Sequence, residues 1–235
     1  MAALERSQLK GFISMNNIAI LLSENHKYYE ELINTDLPTI LVDPVSIDET
    51  DYTKLEDADT LFDFTCFPRE SKIELLLKIG DIFRGNLLSD LSVNWVDFFL
   101  EEFDFIDGAM ATGFYSPNKT FEVYLRDPSI MSVVEKLFGN FGFTPKLIKS
   151  PGICFNYPRI LSTIINEAYF AKEEQLATDD DIDKAMRFGV NYPLGPFEWA
   201  QHIGLEKVAM VLLELYQATG DQRYRMSHYI KREVL

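Results

Sequence analysis

The chain has 235 residues, 47% of them hydrophobic, enough to bury a core in one large domain or two modest ones. Its formal net charge is −15 and it shows no basic face, which argues against nucleic acid as a partner. No uncharged apolar run approaches the roughly 18 residues of a membrane span, and the opening MAALERSQLKGFISMNN lacks the apolar core of a signal peptide. The expectation is a cytoplasmic protein without a membrane partner, with residues 1–14 readable as a leader before a start at Met15. Cys66 and Cys154 offer neither a metal-ligand spacing nor a disulfide framework, so reduced thiols and no bound metal are expected.

Up to about Ser150, short apolar runs alternate with amphipathic stretches. IAILL (18–22) reads as a buried strand, HKYYEELI (26–33) as a helix, and TILVD (39–43) as a second strand ended by Asp43 and Pro44. TLFDFTCF (60–67) reads as a third strand. RESKIELLLKIGDIF (69–83) reads as a helix, with Ile73, Leu76, Leu77 and Phe83 on one face and Gly80 leaving room there for a close neighbour. FDFIDGAMA (103–111) and FEVYL (121–125) are strand candidates. PSIMSVVEKLFGNFG (128–142) is a helix stopped by glycine, and PKLIKS (145–150) a last short strand. This alternation predicts a layered α/β domain with a largely parallel sheet.

After Pro151 the pattern is helical throughout. RILSTIINEAYFAKEEQL (159–176) is apolar nearly all round its first half, as in a helix buried in a cluster or an interface. Thr178 is placed to cap the next helix, with aspartates in its first turn and Gly189 at its end. In NYPLGPFEWA (191–200), Pro193 turns Tyr192 away from helical geometry and Gly195 is free to take a positive φ. Pro196 suits a helix start, Glu198 the positive helix end, and Phe197 and Trp199 pack back on the bundle. Each of these residues reads as part of a rigid helix–helix joint.

Three stretches in this half go further: Asn166-Glu167-Ala168, Asp181-Ile182-Asp183-Lys184-Ala185-Met186, and Gly189 through Glu198. Together they resemble the helical C-terminal domain of the 3-hydroxyacyl-CoA dehydrogenase family. The resemblance implies α/β plus all-α architecture: a shortened, Rossmann-like doubly wound domain over 15–149, then a helical dimerisation domain over 150–235. It implies a homodimer through the helices, NAD as cofactor if the family activity is retained, and an acyl-CoA in the cleft between domains. LFDFTCFPRESKIELL (61–76) is similar to the family's strand and helix beyond the nucleotide site. The long helical hairpin expected before it is missing, with only residues 44–59 in its place.

The chemistry of that family is only partly present. A diphosphate needs a tight glycine turn, G-x-G-x-x-G, at a helix start. Here IAILL runs into Ser23-Glu24-Asn25-His26-Lys27-Tyr28, with no glycine and a repelling Glu24. Asp43 stands where the family's acid holds ribose hydroxyls, though an aspartate before proline is also an ordinary turn residue. The family's catalytic histidine lies in H-F-F-N-P, and the matching segment here is Gly113-Phe114-Tyr115-Ser116-Pro117. Gly113 takes the histidine's place, and Glu122 matches its partner glutamate. A lone glutamate titrates near about 4.3 and is a weak base for an alcohol. None of His26, His202 and His228 falls in this segment, and His202 reads as a surface or interface residue. Ser92 corresponds to a substrate-contacting serine. The active-site asparagine is matched by Asn156 when counted from Pro151 and by Pro158 when counted back from Arg159. The family's G-x-K-T-G-x-G-F-Y segment is not found.

Three readings follow. The first is a degenerate relative without NAD-dependent catalysis and with no cofactor expected, serving as a binding or regulatory homologue that keeps an acyl-CoA cleft. Glu122, Ser92 and Asn156 are then vestigial catalytic positions and Asp43 a vestigial cofactor contact. The second is an active dehydrogenase with backbone N–H groups around Ser23–Asn25 replacing the glycines and Tyr115 or Glu122 as base. The third is a purely structural dimer module.

Overall fold

The computed structural model describes residues 17–234, so the proposed leader and start at Met15 lie outside the described residues. Seven strands form one sheet in the order β2-β1-β3-β4-β5-β6-β7. They are β1 (Ile18–Leu22), β2 (Thr39–Leu41), β3 (Thr60–Asp63), β4 (Asn86–Asp90), β5 (Ile106–Met110), β6 (Thr120–Leu125) and β7 (Thr144–Leu147). The first five are mutually parallel; β6 runs antiparallel to β5, and β7 parallel to β6. The chain steps from β1 outward to β2, then returns across β1 to β3, so the strand order reverses between β1 and β3.

Period-two alternation sorts the core onto the two faces. Ala19, Leu21 and Leu61 pack with Leu75, Leu76, Ile79 and Phe99 on one side. Ile20, Leu22 and Phe62 pack with Leu32, Val134, Leu137 and Phe138 on the other. Helices α1 (Tyr29–Ile33), α2 (Arg69–Ile82), α3 (Val96–Glu102) and α4 (Met131–Asn140) supply those partners. This is the doubly wound arrangement expected, with two 3₁₀ turns (Ile47–Glu49 and Thr53–Leu55) filling the short stretch before β3. Tyr52, Ile47 and Leu55 from this stretch are buried in the α2-side core.

Several elements are shorter than the sequence pattern suggests, for identifiable reasons. The 60–67 strand ends at Asp63 because its carboxylate accepts from both Thr65 N (2.9 Å) and Thr65 Oγ1 (2.5 Å), curling the chain away from the ladder. The first helix starts at Tyr29 rather than His26, since His26 N closes a turn on Ser23 O (2.9 Å). Two elements carry little sequence signal: β4, whose NLLSD ends in polar residues, and the short α3.

The buried face of α2 also differs. Leu77 is 59% exposed, and the face is made by Lys72, Leu75, Leu76 and Ile79. Lys72 is drawn inward by Asp63 (2.8 Å) and Thr65 Oγ1 (2.8 Å), and is itself fully buried. Ser89 Oγ donates to the same Asp63 oxygen at 2.5 Å, joining β3, β4 and α2 below the crevice. Gly80 does admit a close neighbour: a Cβ there would stand 2.9 Å from the Phe105 ring.

The second half is built on α5 (Asn156–Glu173), which packs on α7 (Pro196–Ile203), α8 (Leu205–Thr219) and α9 (His228–Val234). α6 (Asp179–Gly189) is capped by Thr178 Oγ1, which accepts from Asp181 N. The joint before α7 corrects one expectation. Gly195 has φ −76°, and the left-handed residue is Asn191 at φ 60°. Glycine is required at 195 for space, because any Cβ would overlap the Asp183 carboxylate. That carboxylate accepts from Phe197 N (2.8 Å) and Glu198 N (3.1 Å), and Glu198 Oε2 accepts from Gly195 N (2.8 Å). Two acids thus hold the first turn of α7.

The Lys72–Asp63 pair generates a stability prediction. Lys72→Met strands a buried carboxylate and lowers unfolding free energy by about 3–5 kcal/mol, whereas Lys72→Met with Asp63→Asn recovers most of the loss. Urea unfolding of the two variants measures both. Equal losses in the two would refute a role for the ion pair.

Candidate functional site

In open α/β sheets ligands sit beyond the carboxyl ends of the strands, where the strand order reverses. At that place, between β1 and β3, lies a cleft of about 570 Å³. Its walls are the β1–α1 loop (Ser23, Asn25, His26 and Lys27), the segment after β3 (Cys66, Phe67 and Pro68), and the α7–α8 junction from Ile203 to Met210. The sheet half and the helical half therefore face each other across it.

The β1–α1 loop does not suit a dinucleotide. It contains no glycine, and the helix it opens has only five residues, too short to gather a strong positive end. His26 fills the crook of the loop at 5% exposure, with its ring 6.0 Å from Phe64. Its Nδ1 accepts from Tyr28 N (3.2 Å), which leaves the proton on Nε2. Burial, aided by the charges of Lys207 and Lys72, pushes its pKa down to about 3, so the ring is neutral. Asp43 is exposed and closes a turn by accepting from Val45 N (2.8 Å).

The ends of β4 and β5 are gathered on one buried carboxylate. Asp90 accepts from Ser92 N (2.9 Å), Ser92 Oγ (2.5 Å), Thr112 N (2.7 Å), Thr112 Oγ1 (2.5 Å) and Gly113 N (2.7 Å). Burial pushes its pKa up, and the hydrogen bonds from Ser92 and Thr112 oppose that shift. Ser92 is fully buried, and its Oγ also takes Gly113 N at 3.2 Å. A Cβ on Gly113 would stand 2.7 Å from Cys66 Cβ, and nearer still to its Sγ. Cys66 therefore occupies the space that a side chain at 113 would need. Burial, with the charge of Asp90, pushes the Cys66 thiol up to about 12, so it packs there as an un-ionised group.

Glu122 and Asn156 are brought together. Glu122 Oε2 accepts from Asn156 N (2.9 Å) and Tyr157 N (2.9 Å), and Oε1 from Asn156 Nδ2 (3.1 Å). The carboxylate thereby caps the start of α5 and ties it to β6. Asn156 is the first residue of α5, and Pro158 follows in its first turn. The helix is reached through Cys154 and Phe155 at φ 56° and 58°. The structure leaves Ser92 in the separate Asp90 cluster and Asp43 on the outer turn after β2.

Further ties cross the cleft. Lys207 Nζ donates to Gly113 O (3.0 Å), and Tyr157 OH to Tyr115 O (2.9 Å). Glu214, buried on α8, pairs with Arg69 and accepts from Trp95 N (2.8 Å). The Tyr115 ring stacks on the exposed His202 (4.4 Å between centroids), with Lys27 Nζ 5.4 Å from the Tyr115 ring. His26, Asp90 and Lys207 were not identifiable as site residues from the sequence. Only His26 carried a signal, as a histidine in the loop after the first strand. Both cysteines are free, and among the described residues no cluster of three His, Cys, Asp or Glu side chains could hold a metal. No described helix is long and apolar enough to cross a membrane.

A mainly parallel sheet with a crevice at its switch point, facing a helical domain, defines a Rossmann-like, doubly wound α/β fold with a helical second domain. The chain matches the crystal structure of (S)-3-hydroxybutyryl-CoA dehydrogenase from Ralstonia eutropha with a TM-score of 0.70 at 20% identity, covering 93% of each chain. Residues 155–235 match the family model described as "3-hydroxyacyl-CoA dehydrogenase, C-terminal domain". This helical stretch is thus similar to the C-terminal domain of the 3-hydroxyacyl-CoA dehydrogenase family. It is 26% identical to a probable 3-hydroxybutyryl-CoA dehydrogenase of Deinococcus radiodurans, over 88% of this chain and 77% of that one. It is 39% identical to the 3-hydroxyadipyl-CoA dehydrogenase of Escherichia coli over 33% of this chain, a stretch spanning only 16% of that protein.

Two predictions follow from this geometry. Gly113→Ala destabilises the protein by about 1–3 kcal/mol in urea unfolding. Adding Cys66→Gly returns much of that loss, and Cys66→Ala, which keeps the clashing Cβ, returns little. The second concerns His26, whose folded pKa is depressed. Below about pH 6.5 the unfolded chain binds a proton that the folded chain refuses until about pH 3, so His26 makes stability fall as pH falls through that window. The slope approaches about 1.4 kcal/mol per pH unit. Asp90, with its raised pKa, acts in the opposite sense, so the test is the difference between wild type and His26→Gln, which removes this one slope.

Proposed function

We propose that this protein is a non-catalytic member of the dehydrogenase family, a binding or regulatory homologue that does not carry out NAD-dependent oxidation of 3-hydroxyacyl-CoA. The observation that carries this reading is Gly113 packed against Cys66 and Ser92, at the position matched to the family's catalytic histidine. The base is missing and the space for it is filled. The β1–α1 loop is a second, independent deficit, because a neutral, buried imidazole stands where a diphosphate would need open backbone N–H groups.

The active-enzyme reading would need a substitute base. Glu122 has three N–H donors on its carboxylate and serves as a helix cap, and Tyr115 is held in a ring stack with His202. Neither arrangement frees a proton acceptor for an alcohol. The chain also pairs with a second copy through its helices in this proposal. Ile160 on α5, Phe188 on α6 and Leu213 on α8 are 58%, 80% and 51% exposed, apolar side chains available to such a pairing. Sedimentation should give a dimer that Phe188→Glu weakens.

The deciding measurement combines calorimetric titration with NADH and a spectrophotometric assay of NADH oxidation with acetoacetyl-CoA. The expected outcome is no NADH binding and no turnover. Saturable NADH binding with steady oxidation would refute the proposal and restore the dehydrogenase reading. Acetoacetyl-CoA heat without turnover would support a thioester-binding role.

A further inference from the structure

The cleft at the β1–β3 switch point keeps a chemical character of its own. His26 lines it and is buried to 5% exposure, and its Nε2 has no hydrogen-bond partner among the described residues. With Nδ1 accepting from Tyr28 N, Nε2 carries the proton, so the unsatisfied group is a donor. An unpaired buried donor is costly, and an acceptor in the cleft would relieve that cost.

Two cations line the same space. Lys207 spends one N–H on Gly113 O, and Lys27 lies by the Tyr115 ring. Among the described residues neither has a carboxylate within ion-pair distance. Glu206 is the acid on the cleft wall. The remaining surface is mainly apolar: Phe67, Pro68, Ile203 and Met210. A lining with three N–H-bearing side chains and an otherwise mainly apolar surface suits a ligand with a single small anionic head and an aliphatic body.

A polyphosphate suits it poorly. The loop has no glycine turn, the following helix is five residues long, and a chain of net charge −15 repels a multiply charged ligand more than a singly charged one. A carboxylate needs fewer donors and can accept from a neutral N–H and two ammonium groups at once.

We propose that the cleft binds an aliphatic monocarboxylate, with its head group on His26 Nε2–H, Lys27 and Lys207 and its chain along Phe67, Pro68, Ile203 and Met210. This deepens the non-catalytic reading, since it places a different ligand class in the crevice a dinucleotide would otherwise use.

Isothermal titration with sodium octanoate tests it on the full chain, with octanamide as the uncharged control and NADH in a separate arm. Octanoate should bind at one site per chain, and octanamide at least about tenfold more weakly. Lys207→Met and Lys27→Met should each weaken octanoate severalfold without changing the melting temperature greatly. His26→Gln, which keeps a side-chain N–H donor, should retain binding better than His26→Leu. Absence of saturable octanoate heat, equal affinity for octanamide, or indifference to both lysine substitutions would overturn the proposal. If octanoate fails and NADH also fails, only this inference falls. If NADH binds and displaces octanoate, the non-catalytic reading falls while the carboxylate site stands.

Discussion

A single buried carboxylate organises the carboxyl end of the sheet. Asp90 takes donors from the turn after its own strand and from the turn after β5, so one side chain ties the two loops together. Each strand end would otherwise carry free backbone N–H groups into a dry interior, at a cost in stability. The arrangement sets the backbone path at Gly113, and that path brings the glycine against Cys66. The geometry of the crevice floor is thus a consequence of where one aspartate sits.

Acids also join the two halves. Glu122 on β6 caps α5 and Glu214 on α8 holds Arg69 and Trp95 N, while within the helical half Asp183 and Glu198 close the turn that aims α7. Several of these carboxylates meet backbone N–H groups at helix starts, where partial positive charge accumulates. This part of the chain's negative charge is therefore not idle surface charge. It is placed where unpaired backbone donors need partners, and it fixes the cleft walls at a set spacing.

How much of this was legible beforehand varied with the range of the interaction. β1 was readable to the residue because five consecutive apolar residues, four of them buried, leave no ambiguity, and the cap of α6 because Thr178 and its aspartates are adjacent in sequence. The face of α2 was misjudged because a lysine counts as polar until its partner is known, and Asp63 lies on another element. Gly195 was read as free to take a positive φ, whereas its constraint is the neighbouring Asp183 carboxylate, which no local pattern reveals. The motif match picked out Glu122 and Asn156 as individual positions, yet their mutual hydrogen bond needs the fold to bring β6 to α5. Asp90, His26 and Lys207 are defined by contacts between segments distant in sequence, so their roles emerge only in three dimensions.

The packing of Cys66 on Gly113 also constrains how such a protein can change. Any side chain at 113, histidine included, collides with residue 66 unless that residue has first become glycine. Glycine at 66 alone removes a packed side chain and loosens a loop, which is itself unfavourable. The two positions are therefore epistatic: each step toward an imidazole in this crevice lowers stability until both are taken.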